Sequence, residues 1–147
     1  MKTKVANNGF GRIGRNAFKI AFARSDVEIV AINDLTDTKT LAYLLKHDSN
    51  YGTYDKEVGS DEKHLIVDGH KVVVLAEKDP AALPWKEHGV DVVIESTGRF
   101  TKIEDASLHL KAGAQRVVIS GPSKSEGVDT IVLGANEDKL EDATEVI

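Results

Sequence analysis

VANNGFGRIGRNAF, residues 5–18, decides how the chain is read. Gly9, Gly11 and Gly14 stand in G-x-G-x-x-G spacing. A short apolar run, 3–7, leads in as a buried strand, and a helical pattern over 11–25 leads out. On that helix Ile13, Ala17, Ile20, Ala21 and Arg24 share one face, which Phe18 and Phe22 widen. The β-branched run VEIVAIND (27–34) follows, so the turn sits inside a βαβ unit. Asp34 ends that second strand, 20 residues after Gly14. Strand, glycine turn, helix and acid at this spacing form the dinucleotide-binding pattern, which a lone G-x-G-x-x-G does not. Gly9 permits a tight turn, Gly11 lets backbone approach a pyrophosphate, and Gly14 lets the helix pack closely on the strand. Free N–H groups at the helix start, including those of Arg12 and Ile13, offer an anion site. The Asp34 carboxylate can accept from both hydroxyls of an adenosine ribose. A 2′-phosphate would meet a buried negative charge there, so NAD is expected over NADP.

Working outward, strands and helices alternate. TKTLAYLLKHD (38–48) is expected as a helix with Leu41, Leu44 and Leu45 inward. Asp68-Gly69 between two β-rich runs signals a hairpin. DVVIEST (91–97) is a near-continuous apolar strand of the kind buried in a parallel sheet. TKIEDASLHLKAG (101–113) is expected as a helix, with Thr101 and Glu104 as a capping box and Gly113 in the left-handed position past its end. RVVIS (116–120) and TIVLG (130–134) complete the set as strands. The expected fold is α/β, an open, mostly parallel Rossmann-type sheet with helices on both faces and an inserted β-hairpin, in one domain over 1–147.

Composition narrows the classes of function. With 41% hydrophobic residues, the chain can bury a core. A net charge of −5 gives little support to a nucleic-acid partner, which needs clustered Lys and Arg. No apolar run reaches the length of a membrane span, and residues 1–10 have no signal-peptide core, so the cytoplasm is the expected location. The absence of cysteine excludes disulfides, thiolate metal sites and a thiol nucleophile within these residues. The histidines (His47, His64, His70, His88, His109) lack metal-ligand spacing and read as surface residues; no metal site is expected. Glu95 ends a buried strand, where a carboxylate can serve as a general base or bond to backbone; the second is expected.

NGFGRIGR, NDLTDTKTLAYLLKHDSNYG, ESTGRFT and GANEDK, in that order along the whole chain, resemble the cofactor domain of the phosphorylating glyceraldehyde-3-phosphate dehydrogenases of bacterial type. The resemblance implies NAD as cofactor. Asn8, Gly9, Phe10, Gly11, Arg12 and Ile13 match the family's pyrophosphate turn. Asn33 and Asp34 match the adenosine-ribose contacts, and Leu35 a leucine typical of NAD-preferring members. Glu77 and Lys78 match the segment flanking adenine. Ser96, Thr97, Gly98 and Phe100 match the wall around the cofactor's middle, and Ser120 and Gly121 the strand end below the nicotinamide ribose. The family's cysteine nucleophile and histidine base have no counterpart here: the cysteine motif would come immediately after Ile147. The expectation is thus a truncated cofactor domain that binds NAD and has no catalytic residue of its own. The parent family is tetrameric, and an uncovered apolar surface is expected to make this chain self-associate. Two other readings stay open: a stand-alone adenine-nucleotide module, and an interaction module using the same groove. Two positions depart from the family pattern. Asn7 stands where an apolar residue, commonly isoleucine, is usual, and Gly121 where alanine is usual.

Overall fold

The computed structural model describes residues 1–147 and no helix long and apolar enough to cross a membrane. Strand β1 (Thr3–Asn8) feeds the glycine turn, helix α1 (Arg12–Phe22) returns over the sheet, and β2 (Val27–Asn33) pairs parallel to β1. Helix α2 (Thr38–Lys46) is capped by Asp37, whose carboxylate accepts from the Thr40 N–H and hydroxyl. A two-residue ladder, β3 (His47–Asp48) with β4 (Gly52–Thr53), leads to β5 (Val58–Ser60). β6 (His64–Val67) and β7 (His70–Leu75) form the expected hairpin. Its turn has φ of 47° at Asp68 and 81° at Gly69, the doubly positive geometry that matches strand twist. A short helix α3 (Trp85–His88), β8 (Val92–Glu95), helices α4 (Ile103–Ala106) and α5 (Leu108–Lys111), and β9 (Arg116–Ile119) complete the chain of elements.

The sheet order is β5-β6-β7-β2-β1-β8-β9. The hairpin side is antiparallel and the remaining pairs are parallel, as the alternation of elements requires. Glu145–Ile147 add one more parallel rung outside β9, through Val117 N–H to Glu145 O and Ile119 N–H to Ile147 O. Helices cover both faces. Phe18 of α1 and Leu41 and Leu45 of α2 bury Val5, Ile29 and Ile32 on one face, and Trp85 with Val90 buries Ala6, Ala31 and Val93 on the other.

Several local expectations are corrected. Residues 130–134 make no strand: they run through turns, with Val132 and Leu133 exposed and Gly134 at φ 84°. The outer strand position is taken by 145–147 instead. The helix over 101–113 divides at Ser107, because the Leu110 N–H bonds back three residues to the Ser107 carbonyl. The Thr101–Glu104 capping box does not form. Lys102 is the cap residue, and the Ile103 N–H is satisfied by the Ser125 hydroxyl from a distant loop. The buried face of α1 is Gly14 and Phe18, while Ile13 and Ile20 are 54% and 69% exposed. Phe18 stacks on Phe22 and meets Phe10 edge to face, which sets the rotation of the helix.

Asn7 is fully buried on the α1 face of the sheet, flanked in register by Ile32 and Ile94. Its amide donates to the Gly14 carbonyl at 3.2 Å, but its Oδ1 has no partner. An orphaned buried acceptor costs roughly 1–3 kcal/mol. Asn7→Ile, or Asn7→Val where the added volume is too great, is therefore expected to raise stability by about 1–3 kcal/mol in a urea titration. A lower midpoint for both variants would contradict this account of Asn7.

Candidate functional site: the cleft at the carboxyl edge

The chain reverses its direction of sheet growth at β1. β2 lies on one side of it, and the later crossover places β8 on the other. A crevice opens at such a switch point, beyond the carboxyl ends of the strands. Here it is a cleft of about 600 Å³ lined by Asn8, Gly9, Gly11, Asn33, Asp34, Leu35, Glu77, Lys78, Ser96, Thr97, Arg99 and Phe100.

The glycine turn is clamped between its neighbours. The Gly9 N–H donates to the Asn33 carbonyl, and the Ser96 hydroxyl to the Gly9 carbonyl at 2.8 Å. Gly9 has φ 91°, and a Cβ there would lie 2.8 Å from the Thr97 nitrogen, so both conformation and space demand glycine. A Cβ at Gly14 would lie 2.2 Å from the Gly9 carbonyl oxygen, which is how closely α1 approaches the turn. Gly11 differs: its backbone is extended, and a Cβ would meet nothing within 4 Å. The space above Gly11 is the open floor of the cleft. The first-turn N–H groups of α1, at Arg12 and Ile13, have no acceptor one turn earlier in the helix, and their dipoles favour an anion.

Asp34 lies one residue past the end of β2 and is half-buried, not buried as the sequence suggested. Its Oδ2 accepts from the Phe10 N–H at 2.8 Å and its Oδ1 from the Thr36 N–H at 3.0 Å. Each carboxylate oxygen keeps a lone pair for a further donor. Asn33 is held rigidly: its Oδ1 accepts from the Glu77 N–H, and its amide donates to Glu77 O and to Asn8 Oδ1. The Glu77 carboxylate accepts from the Lys78 and Asp79 N–H groups and so shapes the loop after β7.

Of the residues singled out from sequence, Asn8, Gly9, Gly11, Asn33, Asp34, Leu35, Glu77, Lys78, Ser96, Thr97 and Phe100 converge on this cleft. Phe10 is 1% exposed, and its ring belongs to the core against Phe18; only its backbone serves the turn. Arg12 and Ile13 point outward from the start of α1, and Gly98 turns the chain after β8 at φ 72°. Ser120 and Gly121 lie past β9 in a separate cavity of about 290 Å³, shared with Ile119, Asp129 and Ile147. Arg99 lines the cleft without having been singled out, although ESTGRFT contains it.

Below the cleft, Glu95 is buried, and it does more than bond to backbone. Oε1 accepts from the Thr97 N–H and hydroxyl, and Oε2 from Asn8 Nδ2 and His109 Nε2. His109, expected at the surface, is 0% exposed. The sequence did carry a signal: His109 lies three residues after Ala106, on the helix side that faces the sheet. No group of three or more His, Asp or Glu side chains is arranged to hold a metal ion.

The comparisons with known proteins agree on one group. Residues 3–103 match the family described as glyceraldehyde 3-phosphate dehydrogenase, NAD binding domain. The chain is 56% identical over 141 residues to the glyceraldehyde-3-phosphate dehydrogenase of Geobacillus stearothermophilus, covering 96% of this chain and 42% of the relative. It is 56% identical over 139 residues to that of Thermotoga maritima, covering 93% and 41%. Against glyceraldehyde-3-phosphate dehydrogenase 1 of Bacillus subtilis it is 53% identical over 143 residues, covering 97% and 42%. The chain thus spans about two fifths of the length of the curated relatives it matches.

Proposed function

We propose, from the premise that this chain belongs to the glyceraldehyde-3-phosphate dehydrogenase family as its NAD-binding domain, that the cleft at the carboxyl edge holds NAD through its own named residues. One observation carries this reading. Along the edge, the segments after β7, β2, β1, β8 and β9 follow one another in space. Those segments are Glu77–Lys78, Asp34–Leu35, Gly9–Ile13, Ser96–Phe100 and Ser120–Gly121. The first four of these segments contribute lining to the cleft and the fifth borders the neighbouring cavity; the family resemblance assigns them, in that order, to adenine, adenosine ribose, pyrophosphate, the cofactor's middle and nicotinamide ribose.

The residues fit the group. The free lone pairs of Asp34 face the cleft for two ribose hydroxyls. The floor at Gly11 is open, so phosphate oxygens can approach the N–H groups of Arg12 and Ile13. Leu35 and Phe100 offer apolar surface to the rings. NAD supplies the hydride acceptor when bound. The chain's residues bind and orient it, and none is a catalytic base or nucleophile. The chain is one domain over 1–147, and binding without catalysis is its expected behaviour. Oxidation and phosphorylation of glyceraldehyde 3-phosphate is the reaction of the whole enzyme it serves, with a glycolytic role and a cytoplasmic location. A tetramer is the proposed state of that enzyme. Self-association of this chain is proposed through exposed apolar side chains, among them Ile13 and Ile20 of α1.

Gly11→Ala tests the cofactor reading. The methyl group meets no protein atom, so thermal stability should change by less than about 0.5 kcal/mol. It does enter the space a pyrophosphate needs, so NAD affinity should fall at least about tenfold. A folded Gly11→Ala protein that binds NAD like the parent would remove the cleft from this role.

A further inference from the structure

Asn33, Asn8 and Glu95 stand side by side in register at the last rung of β2, β1 and β8. All three are buried, at 5%, 1% and 1% exposure. Three buried polar side chains in one rung, above rungs whose buried residues are apolar apart from Asn7, need a reason. The direction of each hydrogen bond supplies it. The Glu77 N–H can only donate, so the Asn33 atom facing it is the oxygen. Asn33 Nδ2 then donates to Asn8 Oδ1 at 2.7 Å, which turns Asn8 Nδ2 toward Glu95. On the far side, Trp85 Nε1–H can only donate, and it lies 2.9 Å from His109 Nδ1. Nδ1 is therefore the acceptor, and His109 is the neutral imidazole with its proton on Nε2. That proton points at Glu95 Oε2, at 2.9 Å. The His109–Glu95 contact is thus a hydrogen bond from a neutral ring and not an ion pair. Asn8 Nδ2 and His109 Nε2, 3.4 Å apart, are two donors meeting at one oxygen.

The network converges on one carboxylate. Glu95 accepts four hydrogen bonds, from Asn8, His109 and the Thr97 N–H and hydroxyl, and no lysine or arginine touches it. We propose that Glu95, held by His109 and Trp85, is the positioning residue of the cleft. Through Oε2 it fixes Asn8, and through Asn8 it fixes Asn33 and the Glu77 loop. Through Oε1 it fixes Thr97. One buried carboxylate thereby ties together both walls of the crevice, two strands apart. The inference rests on the reading of the cleft as the NAD site.

The test compares NAD titration by calorimetry with folding by circular dichroism in the parent chain and four variants. Glu95→Gln keeps shape but turns a donor toward other donors. His109→Leu removes the ring's proton, while His109→Gln restores a donor near the Nε2 position. Val67→Ala opens a void in β6, remote from the network. Glu95→Gln and His109→Leu should each remain folded and bind NAD about tenfold or more weakly, and His109→Gln should recover to within about threefold of the parent. Val67→Ala should lower stability and leave affinity unchanged. Where Glu95→Gln does not fold, the two His109 variants decide. Parent-like affinity in folded Glu95→Gln, no recovery in His109→Gln, or equal weakening in Val67→Ala would overturn the proposal. A parent chain that fails to bind NAD would instead overturn the underlying reading of the cleft, and this inference with it.

Discussion

Gly14→Ala is expected to abolish measurable NAD binding and to lower the melting temperature by roughly 3–10 °C, the range for overpacking a rigid contact in a domain of this size. The added Cβ would sit 2.2 Å from the Gly9 carbonyl oxygen and 2.9 Å from the Ser96 hydroxyl. The first of these is backbone and has no rotamer to escape into. Gly9 is itself held by Asn33 and Ser96, so the turn cannot move aside without breaking its bonds to β2 and β8. The remaining escape is a shift of α1, which carries the N–H groups of Arg12 and Ile13 away from the turn. Loss of stability and loss of binding therefore come together, in contrast to Gly11→Ala. Scanning calorimetry with and without NAD separates the two effects. A Gly14→Ala protein of unchanged melting temperature would show that helix and turn are not in the contact described here.

The second large effect is on cofactor choice. In the parent chain, NAD should bind far more tightly than NADP, and Asp34→Ala should shift the ratio of the two affinities by about a hundredfold or more. Two physical terms add. The carboxylate offers charged acceptors to the ribose hydroxyls, worth roughly 1.5–3 kcal/mol each when made. The same charge repels a 2′-phosphate by about 4 kcal/mol per unit charge at 4 Å and an effective dielectric of 20. The ratio is the useful readout, because Asp34 also anchors the Phe10 and Thr36 N–H groups. Loosening the turn weakens both cofactors alike and cancels in the ratio. An unchanged ratio in Asp34→Ala would place discrimination elsewhere, with the exposed Leu35 beside it the next residue to examine.

The parts of the fold that were legible in sequence are those set by short-range rules. The glycine turn and the Asp68-Gly69 hairpin each depend on residues within a few positions of one another, and the acid after the second strand on a fixed spacing within one βαβ unit. The runs 27–34 and 91–97, expected as buried strands, contain the parallel strands Val27–Asn33 and Val92–Glu95. What failed was decided by tertiary contacts. TIVLG (130–134) has strand composition, but the last open position beside β9 is filled by 145–147, so its β propensity finds no partner. Thr101 offered a local cap, but the Ile103 N–H takes the Ser125 hydroxyl, from a loop 22 residues beyond Ile103, instead. Ile13 and Ile20 fit an apolar stripe on α1, yet Gly14 and Phe18 decide the face, because only a glycine admits the close approach to Gly9.

The candidate site divides the same way. The cleft-lining residues were legible because the motif and the family resemblance both point to strand ends, and the sheet order brings those ends into one row. The layer beneath was not legible. Sequence alone points Asn8 to the turn, Glu95 to a backbone contact and His109 to the surface. Their connection exists only because β1 and β8 are neighbours across 87 residues of sequence and α5 brings His109 back onto Glu95. Hydrogen-bond direction, which assigns the tautomer of His109 and the orientation of both asparagines, is a property of that assembled network. Asn7 is a different case. The family pattern, with an apolar residue usual there, points to its burial, and its one bond to Gly14 shows how the turn tolerates a polar residue there.

The most direct measurement of the central claim is a calorimetric titration of this chain with NAD, ADP-ribose and NADP under identical conditions. Asp34, the glycine turn and the start of α1 all act on the adenosine and pyrophosphate part of the ligand. ADP-ribose should therefore bind within about threefold of NAD, and NADP at least about a hundredfold more weakly. Equal affinity for NAD and NADP, or no binding of ADP-ribose where NAD binds, would contradict it.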